Sequence, residues 1–486
     1  MTGYYTADEV RSAEADLFTR VPAGEPMRRA AYGLAGVVAA ELRARCGGVA
    51  GRTVGLLVGS GDNGGDALWA GTMLRRRGVV VVAVLLNPDR AHTAGLAALR
   101  RSGGRVCADT ARATTELAGA DLVIDGIVGI SGRGPLRPEA ARIVAGLDVP
   151  IVAADLPSGV DPDTGAVTGP AVRADITVAF GARKPVHALA AARCGRIELV
   201  PIGLQLPEPG LAALDPAAVG AGWPVPGPDD DKYSQGVTGV CAGSETYPGA
   251  AVLCTGAAVA ATSGMVRYAG TAHSAVLAHR PEVVAVPRLA DAGRVQAWVF
   301  GPGSGTDTAA RDRLAEILGA EVPVVVDADG LTLLADEPGL VRGRRAPTVL
   351  TPHAGEFARL AGHEPGADRV AAVRELAAAW QVTVLLKGRA TLVTEPGRPV
   401  LVNEAGGSWA ATAGAGDVLS GVIGALLAAG RDPAWAAAAA ARVHALAAGL
   451  AAHAAVPGGE GAAPISATPL LRRIPEAVAT LRALRT

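Results

Sequence analysis

The run Thr53-Val54-Gly55-Leu56-Leu57-Val58-Gly59 passes directly into Ser60-Gly61-Asp62-Asn63-Gly64-Gly65-Asp66, and a helix-forming segment opens at Ala67. An unbroken apolar run predicts a strand buried on both faces, because a strand with one wet face would alternate. Strand, glycine-rich turn and helix start together make an anion site. Backbone N–H groups point outward, the helix dipole favours negative charge, and the missing Cβ atoms let a phosphate approach. A lone glycine pair fits a plain tight turn equally well. The two carboxylates and the amide between Asp62 and Asp66 need a different task, because acids repel phosphate: a cation or a sugar hydroxyl.

Outward from this stretch the pattern repeats. Apolar runs at 79–86, 121–127, 150–156 and 175–180 alternate with Ala/Leu/Arg-rich segments of helical length. That alternation predicts an α/β fold with a parallel, doubly wound sheet. Residues 1–50 read as two helices divided at Pro22 and Pro26. Three more strand ends carry matching chemistry: Asp125 followed by Gly129-Ile130-Ser131-Gly132-Arg133-Gly134-Pro135, then Asp155-Leu156-Pro157-Ser158, then Gly181-Ala182-Arg183-Lys184-Pro185. In an open parallel sheet such ends line one crevice. Asn63, Asp125 and Ser158 are candidates to share a monovalent cation through oxygen ligands. Arg133 is a candidate diphosphate ligand, and Asp155 a candidate acid or base. For each single aspartate, capping or a turn is the plain alternative.

Residues 205–230 carry six prolines and no sustained period, which predicts a linker over 206–228 between domains at 1–205 and 229–486. Beyond it a second α/β pattern begins, with strand-like runs at 236–243, 283–287, 297–303, 322–330, 348–356 and 382–393. The strongest segment is Ala411-Thr412-Ala413-Gly414-Ala415-Gly416-Asp417, a small-residue turn that opens a long apolar helix. Its N–H groups suit an anion. N-capping by Asp417 is the plain alternative, but capping does not require the small residues before it. Lys387-Gly388-Arg389-Ala390-Thr391 offers cations and a hydroxyl to phosphate, with a solvated hairpin turn as the alternative. His353 ends a strand near Glu356, and Gly301-Pro302-Gly303-Ser304-Gly305 is suited to pack against a flat ring or a diphosphate. Asp327-Ala328-Asp329-Gly330 ends a further strand, placed to support the site or a metal ion. The region 418–453 reads as two buried helices broken near Gly430–Pro433, and 457–461 as a loop before a last helix.

Composition narrows the function. The 486 residues are half hydrophobic, with net charge −1 and 3% aromatics. No electrostatic or stacking case exists for nucleic acid or an anionic membrane. Five cysteines without CxxC spacing argue against a disulfide framework or a zinc site, and read as reduced core fillers. The N-terminal segment has no continuous apolar core, so no signal peptide is expected and a cytoplasmic protein is.

GDNGGD, DGIVGISGRGP and DLPSGVD, in this order, resemble the signature segments of the NAD(P)H-hydrate epimerase family over about residues 5–205. The resemblance implies a Rossmann-like domain that interconverts the R and S hydrates NADHX and NADPHX. By it, Asp62, Asn63, Gly64, Gly65, Asp66 and Gly129 through Pro135 contact the hydrate. Asn63, Asp125 and Ser158 bind potassium, and Asp155 lies near the reacting centre. The chain departs from the family at Asp62, where an asparagine is usual; this adds a carboxylate beside a diphosphate.

The GAGD turn resembles ribokinase-like small-molecule kinases. Together with Lys232-Tyr233, YPGAAVL, GPGSG, DADGL, TPHAGE and KGRAT it resembles more narrowly the ADP-dependent NAD(P)H-hydrate dehydratase family over about 225–485. That implies ADP and magnesium, with ADP on Lys387, Gly388, Arg389, Ala390, Thr391 and Gly416. It implies contact of the hydrate with Ala250 or Ala251, Gly303, His353 and Asp417, with Asp417 handling a proton. It also implies a homo-oligomer. The competing readings are an ATP-dependent small-molecule kinase fused to a nucleotide-binding module, and an N-terminal half that only senses nucleotides.

Overall fold

The computed structural model describes residues 1–454 and 461–484. The loop expected at 457–461 lies, apart from Gly461, outside the described residues. The chain divides into two compact units, Gly3–Leu211 and Ala212–Thr486, with Met1 and Thr2 assigned to the second.

The sheet of the first unit contains β1 (Thr53–Val58), β2 (Val80–Leu85), β3 (Arg105–Cys107), β4 (Leu122–Gly126), β5 (Ile151–Ala154), β6 (Ile176–Phe180) and β7 (Arg196–Val200). Every pairing is parallel, in the order β3-β2-β1-β4-β5-β6-β7. The five apolar runs become β1, β2, β4, β5 and β6. The edge strands β3 and β7 escape the pattern because they are only partly buried, so they carry no apolar run. Helices Ala7–Arg20 and Glu25–Cys46 precede the sheet. The first is held by a reciprocal capping box between Thr6 and Glu9.

One expectation needs correction. The helix after β1 does not begin at Ala67; it spans Asp62–Arg75, so the glycine-rich run is its first turn. The glycines serve close approach there rather than a flexible turn. A Cβ on Gly64 would lie 2.4 Å from the Gly59 carbonyl oxygen, and one on Gly65 3.0 Å from the His92 ring. The expected linker also holds structure. Asp215 caps a helix, Pro216–Gly222, by accepting from the Ala217 and Ala218 N–H groups. Val219 and Trp223 are buried in the second unit's core, and the Trp223 indole N–H donates to the Ala261 carbonyl (2.8 Å).

In the second unit, β8 (Val237–Cys241), β9 (Met265–Ala269), β10 (Val284–Val286), β11 (Ala297–Phe300), β12 (Val324–Val326), β13 (Thr348–Leu350) and β14 (Thr383–Leu386) pair in parallel. Antiparallel strands β15 (Ala390–Thr394) and β16 (Val400–Glu404) extend the sheet past β14. The order is β10-β9-β8-β11-β12-β13-β14-β15-β16. The sequence pattern did not reveal β9 or β16.

Helices Ala415–Ala428 and Pro433–Ala454 are largely buried, as expected of 418–453. Pro433–Ala454 is long and apolar enough to cross a membrane, but 67% of its apolar window is buried inside the protein. Helix Ala415–Ala428 packs closely on helix Pro248–Ala261: a Cβ on Gly421 would lie 2.1 Å from the Cys254 carbonyl oxygen. Gly421→Val is therefore expected to destabilise the second unit by roughly 1–3 kcal/mol. The readout is a lower denaturation midpoint at unchanged slope. Gly449→Ala, where nothing lies within 4 Å, is expected to leave the midpoint unchanged or higher.

Candidate active sites

In the first sheet the order reverses between β1 and β4, so their carboxyl ends open a crevice. The loops that follow them meet there. A Cβ on Gly59 would lie 1.8 Å from the Ile127 carbonyl oxygen, so only glycine fits. The crevice widens into a cavity of about 1340 Å³, larger than the roughly 300–1000 Å³ usual for a small-ligand pocket. Asp62, Asn63, Asp66, Gly129 through Pro135 and Asp155 all line it. Gly64, Gly65, Asp125 and Ser158 do not; they are buried behind its wall.

Asp125 is fully buried at the end of β4. Ser158 Oγ–H donates to its Oδ1 (2.7 Å), the Ser158 N–H to its Oδ2 (2.9 Å) and the Ile127 N–H to Oδ1 (3.2 Å). Burial pushes the carboxyl up to about 6 in spite of these bonds. Among the described residues no cationic side chain pairs with it. Asn63 Nδ2 is also buried without a hydrogen-bond partner. Asn63 Oδ1 and Asp155 Oδ2 both face Gly129, lying 3.4 and 3.3 Å from where its Cβ would be.

Asp155 has φ +68°, one of three non-glycine residues in the left-handed region among the described residues. Such a backbone persists only where the surroundings enforce it. Lys184, itself buried, ion-pairs with Asp155 Oδ1 and donates to the Phe180 carbonyl (2.9 Å), while the Phe180 N–H donates to Oδ1 (3.2 Å). The Lys184 N–H donates to His187 Nδ1 (2.9 Å), so Nε2 carries the hydrogen and donates to the Asp155 carbonyl (2.9 Å). Burial and the Lys184 charge push His187 down to about 4. Oδ1 is thus occupied, and Oδ2 is left for the cavity. Asp66 is raised well above the ordinary carboxyl range by burial and by the charges of Asp155, Asp62 and Glu14; its Oδ1 has no partner.

In the second sheet the order reverses between β8 and β11. The Gly243 N–H donates to the Pro302 carbonyl (2.6 Å) and closes the two loops together. Gly303 has φ +61°, and its Cβ would lie 2.9 Å from that of Ala250. Ala251 is fully buried against Gly243 instead. Of the two alanines, Ala250 is the one beside Gly303.

Asp417 stands in the first turn of helix Ala415–Ala428 but does not cap it; Gly414, at φ +83°, holds the cap position. Burial, then the charge of Asp327, pushes Asp417 up to about 7, against the opposing charge of Lys387. Lys387 begins the β14–β15 hairpin, so the turn reading of 387–391 describes its backbone. Its side chain is not solvated in the way that reading expects. Lys387 Nζ donates to Asp327 Oδ1 (2.7 Å) and lies 3.5 Å from Glu356 Oε2. Ser420 Oγ–H, one helical turn beyond Asp417, donates to Asp327 Oδ2 (2.7 Å). Lys387 Nζ is also 3.6 Å from where a Gly416 Cβ would be, which sets an ammonium at a helix N-terminus. Gly388 and Arg389 are exposed, Ala390 and Thr391 buried.

His353 takes the cap position of helix Ala354–Ala361. Its Nδ1 accepts from the Gly355 (3.0 Å) and Glu356 (3.2 Å) N–H groups, and Glu356 answers by accepting from the His353 N–H (2.8 Å). The His353 Nε2 lies 3.4 Å from Glu356 Oε1, and the side chain is exposed. Among the described residues no group of three or more His, Cys, Asp or Glu is placed to hold a metal. Asp327 is committed to Lys387 and Ser420, so it supports the site.

Family models match both units: the one described as YjeF-related protein N-terminus over residues 24–186, and the one described as NAD(P)H-hydrate dehydratase over 238–468. The bifunctional NAD(P)H-hydrate repair enzyme Nnr of Mycobacterium leprae is 60% identical over 484 residues, 99% of this chain and 100% of that protein. Its Mycobacterium tuberculosis (strain H37Rv) namesake is 64% identical over 433 residues, 88% of this chain and 90% of the relative. The chain belongs to the bifunctional NAD(P)H-hydrate repair enzyme family. Among solved structures, an ADP/ATP-dependent NAD(P)H-hydrate dehydratase from Bacillus subtilis, co-crystallised with ATP and Mg²⁺, is 26% identical. It covers 56% of this chain and 98% of its own, with a TM-score of 0.49.

Within this repair-enzyme family fold, sequence reasoning assigned no role to Lys184, His187, Glu14 or Ser420. Lys184 lies in a strand end that the motif reading quoted, but its partner is 29 residues away. Nothing in the sequence marks Glu14.

Each unit buries one neutral histidine, His187 in the first and His444 in the second, and both are pushed down from 6.5 to about 4. The unfolded chain binds these protons more tightly, so each histidine costs stability as pH falls from about 6.5 towards 4. His187→Gln is expected to flatten that slope for the first unit's unfolding and leave the second unit's unaffected, as read from denaturation midpoints across this range.

Proposed function

We infer that the chain repairs hydrated NADH and NADPH. Its first unit interconverts the R and S hydrates, and its second dehydrates the S hydrate at the expense of ADP. The carrying observation is the end-to-end match to a bifunctional repair enzyme at 60% identity, which spans both units. A dehydratase that accepts one epimer leaves half of a mixed hydrate unrepaired, so an epimerase in the same chain completes the task. The five cysteines are free, in keeping with a cytoplasmic setting.

The first-unit site suits potassium. Among the described residues no cationic side chain pairs with the buried Asp125, and the Asn63 carbonyl oxygen Oδ1 faces the neighbouring Gly129 loop. A monovalent cation held by Asn63, Asp125 and Ser158 would supply the missing positive charge without reacting. Asp155, positioned by Lys184 and His187, presents Oδ2 to the hydrate ring. The Gly129–Pro135 loop and the Asp62–Asp66 helix start hold the remainder of the ligand.

In the second unit, Lys387, Gly416 and the N-terminus of helix Ala415–Ala428 hold the nucleotide phosphates. Among the described residues no carboxylate cluster is placed to hold a metal, so the unit receives magnesium with those phosphates. Asp417 is the base. Its position near neutrality lets it accept the proton of the hydrate's C6 hydroxyl while that oxygen attacks the terminal phosphoryl group. Hydroxide is a poor leaving group and phosphate a good one, so loss of phosphate with a C5 proton restores the C5–C6 double bond. Ala250, Gly303 and His353 border the ring.

With ADP and magnesium, the purified chain is expected to convert a mixed hydrate completely, read as recovery of the near-ultraviolet absorbance of reduced nicotinamide. Absence of recovery with either ADP or ATP overturns the reading. Asp417→Asn is expected to slow dehydration by about 100-fold or more and leave epimerisation intact; unaffected dehydration removes Asp417 from the chemistry.

A further inference from the structure

Helix Ala7–Arg20 is one wall of the first unit's cavity. Its apolar face, Ala7, Val10, Ala13 and Leu17, is buried in the unit. Arg11, Glu14 and Phe18, a neighbouring stripe at helical spacing, line the cavity. The wall is anchored at three points. The Tyr5 N–H donates to the Arg183 carbonyl (2.8 Å), the Ala7 N–H to Asp163 Oδ1 (2.6 Å), and Arg11 to the Ile130 carbonyl (3.3 Å). These anchors tie the helix to the segment that carries Lys184 and to the glycine-rich loop. Among the described residues Glu14 has no hydrogen-bond or ion-pair partner, although it is more than half withdrawn from water. Burial raises its carboxyl above the ordinary range, as do the charges of Asp155 and Asp62, against the opposing charges of Lys184 and Arg11.

Inversion at C6 needs proton handling on both faces of the ring, because the hydroxyl departs from one face and returns to the other. Asp155 serves one wall only. The remaining carboxyls that line the cavity are Asp62, Asp66, Glu139 and Glu14. Glu139 is exposed and accepts from the Thr110 hydroxyl. Asp66 Oδ1 has no accessible surface, and Asp62 lies in the helix start taken above as holding the rest of the ligand. Glu14 comes from an element separate from the sheet, is unpartnered and faces the cavity.

We propose that Glu14 is a second catalytic residue of the epimerase, the proton donor and acceptor on the ring face opposite Asp155. This rests on the epimerase reading of the first unit. In one direction the Glu14 carboxyl gives its proton to the C6 hydroxyl. The C6–O bond breaks, water leaves, and the N1 lone pair forms an N1–C6 double bond. A water on the Asp155 side then adds to C6, the N1–C6 π bond returns its electrons to N1, and Asp155 takes the proton. The reverse direction exchanges the two roles. Asp155 and Glu14 exchange protons with solvent between turnovers, so nothing is oxidised or reduced. Each inversion replaces the C6 oxygen with one from water.

The test uses the full chain, whose dehydratase activity reports folding independently. In heavy-oxygen water the parent enzyme is expected to incorporate one labelled oxygen at C6 for each inversion. Glu14→Gln is expected to lose both inversion and label exchange by about 100-fold or more, with dehydration of the S hydrate unchanged. Glu14→Asp should retain a measurable fraction of both. Inversion without label exchange, or a Glu14→Gln chain within about threefold of the parent, overturns the proposal. A parent chain that does not invert the hydrate at all overturns instead the epimerase reading on which it rests.

Discussion

At the end of a central strand in each unit, a glycine meets a backbone carbonyl at a separation that excludes any side chain. In the first unit Gly59 faces the Ile127 carbonyl, with 1.8 Å left for a Cβ; in the second Gly301 faces the Asp327 carbonyl, with 2.0 Å. Both glycines lie at or beside the point where the strand order reverses. A doubly wound sheet opens its crevice there because successive crossovers leave in opposite directions. Bringing two strand ends this close brings the loops after them together as well. Asn63 and Gly129 can therefore share a wall in the first unit; in the second, the Gly243–Pro302 hydrogen bond brings Gly303 beside Ala250. A larger residue at either position would part the loops and with them the ligand-facing groups.

Close approach also removes water, and much of the chemistry follows from charges left in a dry place. Asp125 has only neutral donors, so burial raises it. Lys387 experiences the same burial, but Asp327 and Glu356 more than offset it and its proton is held more tightly. Asp417 lies between these cases: burial and Asp327 push it up, and Lys387 opposes them. Its position near neutrality arises from this balance and not from any single neighbour.

Legibility in the sequence followed the range of the interactions. Buried central strands announced themselves because both faces are apolar over consecutive residues. The edge strands β3 and β7, with partly wet faces, did not. Glycine-rich segments were legible as sites because strand, small residues and helix start are contiguous. Their detailed geometry was not: Gly64 and Gly65 looked like turn residues, yet they are helical and exist to admit the Gly59 carbonyl and the His92 ring. The support of Asp155 was hidden because Lys184 and His187 arrive from the far end of β6, brought in only by the parallel sheet. Glu14 had no local signal, since an acidic residue on an amphipathic helix is usually just solvated. The helix at Pro216–Gly222 was masked by the prolines around it, although Pro216 is at a helix start, where proline is at home.

The two sheets share one strand order through their parallel part, yet their crevices hold different charged groups. The first lines its cavity with five carboxyls, Glu14, Asp62, Asp66, Glu139 and Asp155, and with Arg11, Arg28, Arg133 and Arg137, while the buried Lys184 pairs with Asp155. The second holds a lysine and a helix N-terminus ready for phosphate, with Asp327 steadying the lysine from behind. The two units differ in the groups placed at the strand ends, since the topology beneath them is the same. Asp155 has an ammonium bonded to Oδ1, whereas among the described residues Asp417 has no hydrogen-bonded partner. Asp155 is thereby fixed in place with Oδ2 alone turned to the cavity, and both oxygens of Asp417 stay uncommitted.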